Sequence, residues 1–147
     1  MAETVIPEGA GPQTPQTRQE RIAHGQSVLD AVNHEAGQQV LAALADISPA
    51  LVEQTLLGFS EIYARPALSP RDRQLLTLGM LTALGGCEAQ LETHVNTSLN
   101  VGLSPEEIVE ALLHSSAYCG FPRALNATFA AKRVFAQRGL LPVTDAA

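Results

Sequence analysis

Cys87 and His94 lie seven residues apart in the stretch GGCEAQLETHVNTSLNVG. At 3.6 residues per turn, two side chains at that spacing share one face of a helix. A thiol and an imidazole on one wall can support redox chemistry, proton transfer or plain packing. A dithiol centre on a helix turn would carry a second cysteine three residues after the first, and that position is Gln90. Cys87 follows a Gly85-Gly86 break and so opens a helix, where the dipole favours a thiolate; a lone cysteine in apolar surroundings is more often a small hydrophobe. Cys119, at a helix end in AYCGFP, is the weaker candidate thiol. His94 sits mid-helix among Leu91, Val95 and Ser98, where a histidine is more often a satisfied, partly buried side chain than a catalyst. His114, with Ala111 and Tyr118 on its face, lies on the next helix, so the two rings can converge on one pocket. Glu61 in FSEIYARP is the best-placed carboxylate to join them, against the plainer reading of a solvated helix end. No Cys/His/Asp/Glu set at ligand spacing gathers around these residues, so no metal is expected.

The elements that must position these side chains announce themselves by punctuation. Ser48-Pro49, Ser69-Pro70 and Ser104-Pro105 each set a capping hydroxyl before a proline suited to the first helical position. Glu107 completes a capping box with Ser104, and Asp72 offers Ser69 a weaker version. Helices are therefore expected over 49–63, 70–84 and 105–119. Apolar residues at Ile22, Val28, Leu29 and Val32 mark an earlier helix from about Thr17 to Asn33, with a shorter piece over 38–45. Cys87 to Leu99 reads as another helix, closed near Gly102, and a last one runs from about Pro122 to Arg138 before Gly139 and Pro142. No alternating run bounded by turn residues occurs. The expectation is an all-α fold of six to seven helices, with 17–139 as one domain between tails at 1–16 and 140–147.

Composition narrows the function. The chain has 147 residues, 46% of them apolar, a net charge of −6 and a single lysine, Lys132, so a nucleic-acid or other phosphate-binding surface is not expected. Two cysteines cannot form a disulfide framework. The longest apolar run, Leu75 to Leu84, is too short for a bilayer, and no basic-then-apolar leader opens the sequence, so the expected location is cytoplasmic and off the membrane. Beyond its first turn the helix at 70–84 is apolar almost all round, at Leu75, Leu76, Leu78, Met80, Leu81 and Leu84. Such a helix should be buried on every side, which in a small domain points to a homo-oligomer. The residues alone reach a helical, oligomeric domain with a His/Glu/His pocket and choose no reaction.

The blocks RIAHGQSVL, FSEIYARPAL, RDRQLLTLGMLTALG, ETHVNTSLNVGLSPEEIVEALLH and AYCGFPRALNA, in that order, resemble the carboxymuconolactone decarboxylase family within the AhpD-like group. The resemblance covers about Arg21 to Phe135. It implies an AhpD-like helical bundle assembled as a homotrimer or homohexamer. The redox branch of that group carries C-x-x-C followed by a histidine; here Cys87 and His94 remain and Gln90 replaces the second thiol. The RIAHG and FSEIYARPAL blocks look more like the decarboxylase branch, which implies a cofactor-free lyase.

In 4-carboxymuconolactone a C=C bond conjugates the ring carbon that bears the departing carboxylate to the lactone carbonyl. Loss of CO2 leaves a dienolate, and the substrate is its own electron sink. The protein must then stabilise an oxyanion and deliver a proton to the far ring carbon. The resemblance implies His94 as the donor or proton source, Glu61 as the group that orients or recharges it, and His114 with Tyr118 as pocket wall. Cys87 would line the same pocket. Asn96 stands where the decarboxylases often carry a basic residue, and Arg123 where they usually have a small one, so both are expected to touch the substrate. The partner expected is thus a small carboxylated lactone or related ring. Other readings are a lyase or isomerase acting on another ring in natural-product biosynthesis, an AhpD-like peroxidase or disulfide reductase using Cys87, and a non-catalytic oligomeric scaffold.

Overall fold

The computed structural model describes residues 17–144, so the expected tail at 1–16 and the last three residues lie outside them. Among the described residues the chain is all-α, with six α-helices, one π-helical turn and no strand. It divides into two compact units, with the boundary between Pro70 and Arg71. No helix among the described residues is long and apolar enough to cross a membrane.

The first unit contains α1 (Arg18–Leu44), α2 (Pro49–Gly58) and the π turn Phe59–Tyr63. Thr17 and Glu20 open α1 with a capping box: the Thr17 hydroxyl accepts from the Glu20 N–H at 3.2 Å, and the Glu20 carboxylate accepts from the Thr17 N–H at 2.7 Å. The two helices expected here are one element with a kink at His34, whose φ of 50° is left-handed and non-helical. The expected stop at Asn33 falls one residue before that break. Ser48 precedes α2 without a side-chain capping bond, so its hydroxyl does not play the part its position suggested. The expected helix over 49–63 is there in extent, but its last turn widens from α to π. Val28, Leu29, Leu41, Leu56 and Phe59 form the core. Gly25 sets the closeness of α1 to α2: a Cβ there would stand 1.8 Å from the Leu56 carbonyl oxygen.

The second unit holds α3 (Pro70–Leu84), α4 (Glu88–Asn100), α5 (Pro105–Cys119) and α6 (Phe121–Gln137). The Ser104–Glu107 capping box opens α5 as expected. Gly120, at φ 81°, is at once the last cap of α5 and the first of α6. The inner face of α6 is built from Ala127, Ala130, Ala131, Val134 and Phe135, and its small residues let it pack on both α4 and α5. Leu78, Leu91, Val95, Ile108 and Leu112 complete the core, each apolar side chain of Leu or Ile size contributing about 1.5–3 kcal/mol by leaving water. Val143 packs against the same core, so part of the expected tail at 140–147 belongs to it. Within the single chain α3 is not covered on every side: Leu78 is fully covered, but Leu76, Met80 and Leu84 are 54%, 54% and 69% exposed. These three repeat every fourth residue and form one solvent-facing stripe on the helix.

Candidate functional site

His94 projects from the middle of α4, whose Leu91, Val95 and Ser98 are buried. The Ser98 hydroxyl donates to the His94 carbonyl at 2.7 Å, a bond within the helix that leaves the ring free. The ring meets α3 instead. Gln74 is fully buried there, and its Oε1 lies 3.0 Å from His94 Nδ1. The other end of that amide, Nε2, is buried with no hydrogen-bond partner among the described residues. Burial holds the His94 imidazole below its ordinary value of 6.5, because a charged ring would forfeit hydration that nothing else replaces. The site thus offers a neutral ring, tethered at one nitrogen, in the second unit's interior.

Gln74 was not singled out from the sequence. The signal was present: it is the polar residue four before Leu78 and eight before Thr82, the fully covered positions of α3. A glutamine on the core stripe of an apolar helix needs a partner, since an unpaired buried amide is costly.

The remaining expected residues fall into separate surroundings. His114 is exposed on α5 with its ring tilted at 54° to that of Tyr118, centroids 5.4 Å apart, so this pair does come together. His114 also lines an open groove of about 960 Å³ with Leu75 and Gly79 of α3, Glu107 and Glu110 of α5, and Val143. His94 is not among the lining residues. The mouth of this groove is acidic: Glu107 is held below the usual carboxylate range first by the Ser104 N–H and then by the Arg71 guanidinium that bonds it.

Cys87 is the residue before α4, but its thiol makes no capping bond; Sγ donates to the Leu81 carbonyl at 3.2 Å. Cys119 Sγ faces the Gly120 carbonyl at 3.9 Å, and both thiols are free. Asn96 Nδ2 donates to the Glu92 carbonyl at 3.2 Å. Arg123 donates to the Ala83 carbonyl and so closes the C-terminal end of α3, where a cation suits the dipole. Among the described residues no three His, Cys, Asp or Glu side chains gather in a way that could hold a metal ion.

Glu61 belongs to the first unit, on the π turn. Its carboxylate pairs with Arg21 at 2.6 Å, and the neighbouring Ser60 hydroxyl lies 3.1 Å from His24 Nδ1. The RIAHG and FSEIYARP blocks meet in the fold: Arg21 meets Glu61, His24 meets Ser60 and Gly25 admits Leu56. Sequence reading passed over Arg21 and His24 because no periodicity marks a contact between segments 36 to 40 residues apart.

Residues 50–133 match the model of the carboxymuconolactone decarboxylase family. The chain is similar to the 4-carboxymuconolactone decarboxylase of Acinetobacter baylyi, at 36% identity over 58% of this chain and 63% of that protein. It is similar also to the nitrosuccinic acid decarboxylase of Metarhizium robertsii, at 38% identity over 48% of each chain. An uncharacterised 15.0 kDa protein of Paracoccus denitrificans is 28% identical over 81% of this chain and 90% of its own length. The chain thus spans only about half to two-thirds of the two relatives with named activities, 48% and 63%.

Proposed function

Because the chain belongs to the carboxymuconolactone decarboxylase family, we propose that it is a carboxy-lyase that removes CO2 from a small acid carrying its own electron sink. The observation that carries this reading is His94, buried, neutral and tethered to Gln74 inside the matched segment. The two named relatives support the breadth of the substrate class. A carboxylated lactone can hold the electron pair left by CO2 in its carbonyl; nitrosuccinic acid can hold it in its nitro group. In both cases no cofactor is needed to store the electrons.

For a carboxylated lactone the step runs as follows. The C–C bond to the carboxylate breaks, its electrons pass through the ring C=C into the lactone carbonyl, and CO2 departs. The resulting dienolate is protonated at the far ring carbon and the carbonyl re-forms. His94 is the proton carrier, with His114, Tyr118, Cys87, Asn96 and Arg123 near the substrate. Gln90, in place of a second cysteine one turn from Cys87, weighs against a dithiol cycle. We also infer that the chain works as a homo-oligomer, a trimer or hexamer. The exposed stripe Leu76, Met80 and Leu84 on α3, and Phe121, Leu125 and Phe129 at 71%, 53% and 55% exposure on α6, support this as surface that a second copy would cover.

The test is CO2 release from a carboxylated butenolide and from a nitro-substituted succinate, with no cofactor added. His94→Gln is expected to lower turnover at least about a hundredfold, the usual worth of a positioned acid–base group. Turnover within a few-fold of the parent would remove His94 from the chemistry. Sedimentation of the full chain reads the assembly.

A further inference from the structure

Among the described residues the ring of His94 is hydrogen-bonded to the amide of Gln74, through the amide oxygen. An amide oxygen accepts hydrogen bonds and never donates them. The ring nitrogen 3.0 Å from it, Nδ1, must therefore carry the hydrogen. In a neutral imidazole that leaves Nε2 with the lone pair. We propose that Gln74 is a positioning residue that fixes His94 as the Nδ1–H tautomer, so that Nε2 is the atom that takes up a proton and hands it on.

The role in turnover rests on the lyase reading; the tautomer does not. The protons balance. Nε2 takes one from water, whose hydroxide ends with the released CO2 as bicarbonate, and the imidazolium keeps Nδ1–H on Gln74. After CO2 has left, Nε2–H delivers its proton to the substrate carbon and the neutral tethered ring returns. A neutral amide suits this cycle better than a carboxylate would. It orients the ring without stabilising the imidazolium, so the protonated ring stays a willing acid. Turning the amide over would put its NH2 on Nδ1, strand Oε1 and force the hydrogen onto Nε2, which is the opposite tautomer.

The experiment is long-range 1H–15N correlation spectroscopy of the imidazoles in the 15N-labelled full chain. The His94 signals are identified by their loss in His94→Gln. A protonated Nδ1 and a bare Nε2 are expected in the neutral ring. In Gln74→Glu, a carboxylate facing Nδ1–H should move the His94 titration midpoint up by about one to three pH units. The pH at which turnover declines should move with it. In Gln74→Met, which keeps the volume and loses the acceptor, the two tautomers should mix and kcat fall about tenfold or more with KM little changed. A hydrogen on Nε2 of the parent ring, or a midpoint unmoved in Gln74→Glu, overturns the proposal. If Gln74→Met does not fold, Gln74→Glu decides alone. Because the spectra need no turnover, a correct tautomer in a chain that decarboxylates neither test acid would sink the lyase reading and leave Gln74 in place.

Discussion

Each unit pairs a histidine with a neutral side-chain oxygen, and the two pairs could hardly be set more differently. In the second unit His94 meets Gln74 in the interior, and burial alone pulls the ring below its ordinary value. In the first unit His24 meets Ser60 on a π turn, beside the Arg21–Glu61 ion pair whose side chains are 40% and 49% exposed. Gln74 is fully buried, whereas the ion pair beside Ser60 faces solvent. Hydrogen bonds of similar length, 3.0 and 3.1 Å, therefore carry different meanings: beside a fully buried amide the bond bears on the tautomer of the ring, while on the π turn it joins segments 36 residues apart.

Mutations can widen or erase that contrast. His94→Gln should have the largest effect, at least about a hundredfold in turnover with the fold retained, read as CO2 release beside unchanged far-UV circular dichroism. Gly25→Ala should come next and act on stability. Its Cβ would stand 1.8 Å from the Leu56 carbonyl oxygen, a backbone atom that cannot swing away. A loss of about 1–3 kcal/mol is expected from urea unfolding, with the His94 ring signals of the folded chain unchanged.

The pH dependence of stability sharpens the comparison further. The folded His94 has a lowered pKa, so as pH falls the unfolded chain takes up that proton first. The contribution of His94 is thus present above its ordinary 6.5 and lost as pH falls towards the folded value. Urea midpoints measured between about pH 7.5 and pH 5.5 should decline in the parent and decline less in His94→Gln. Glu61→Gln is expected to change stability by less than about 1 kcal/mol, as exposed ion pairs do, read from urea unfolding. Cys87→Ser should be the mildest, leaving turnover within a few-fold, since its thiol already donates to the Leu81 carbonyl and a hydroxyl can do the same.

Most of the fold was legible in the sequence because its signals are local. Ser104 and Glu107 announce α5, and Gly102, Gly120 and Gly139 sit at positive φ where helices stop. Asn33 marks the kink in α1 to within one residue. Ser48 shows the limit of local signals, because a hydroxyl at the right position still needs the right backbone angles to cap. The candidate site was half legible. His94 stood out by residue type, but Gln74, twenty residues earlier, could be found only by asking which face of α3 is buried. The uniformly apolar look of α3 does not say where its cover comes from: within one chain Leu76, Met80 and Leu84 stay exposed.

The Phe59–Tyr63 stack, centroids 4.5 Å apart and 25° from parallel, gives the molecule an optical label. The sequence has no tryptophan and two tyrosines, and each unit carries one of them. Tyr63 is held against a second ring in the first unit, whereas Tyr118 is 83% exposed on the second. A ring stacked in a core gives a strong near-ultraviolet circular dichroism band, and one that is largely exposed gives less. The near-ultraviolet melt therefore follows the first unit almost alone, while the far-ultraviolet melt follows the helices of both. Coincident curves would mean that the units come apart as one cooperative body; separated curves would give each unit a melting temperature of its own.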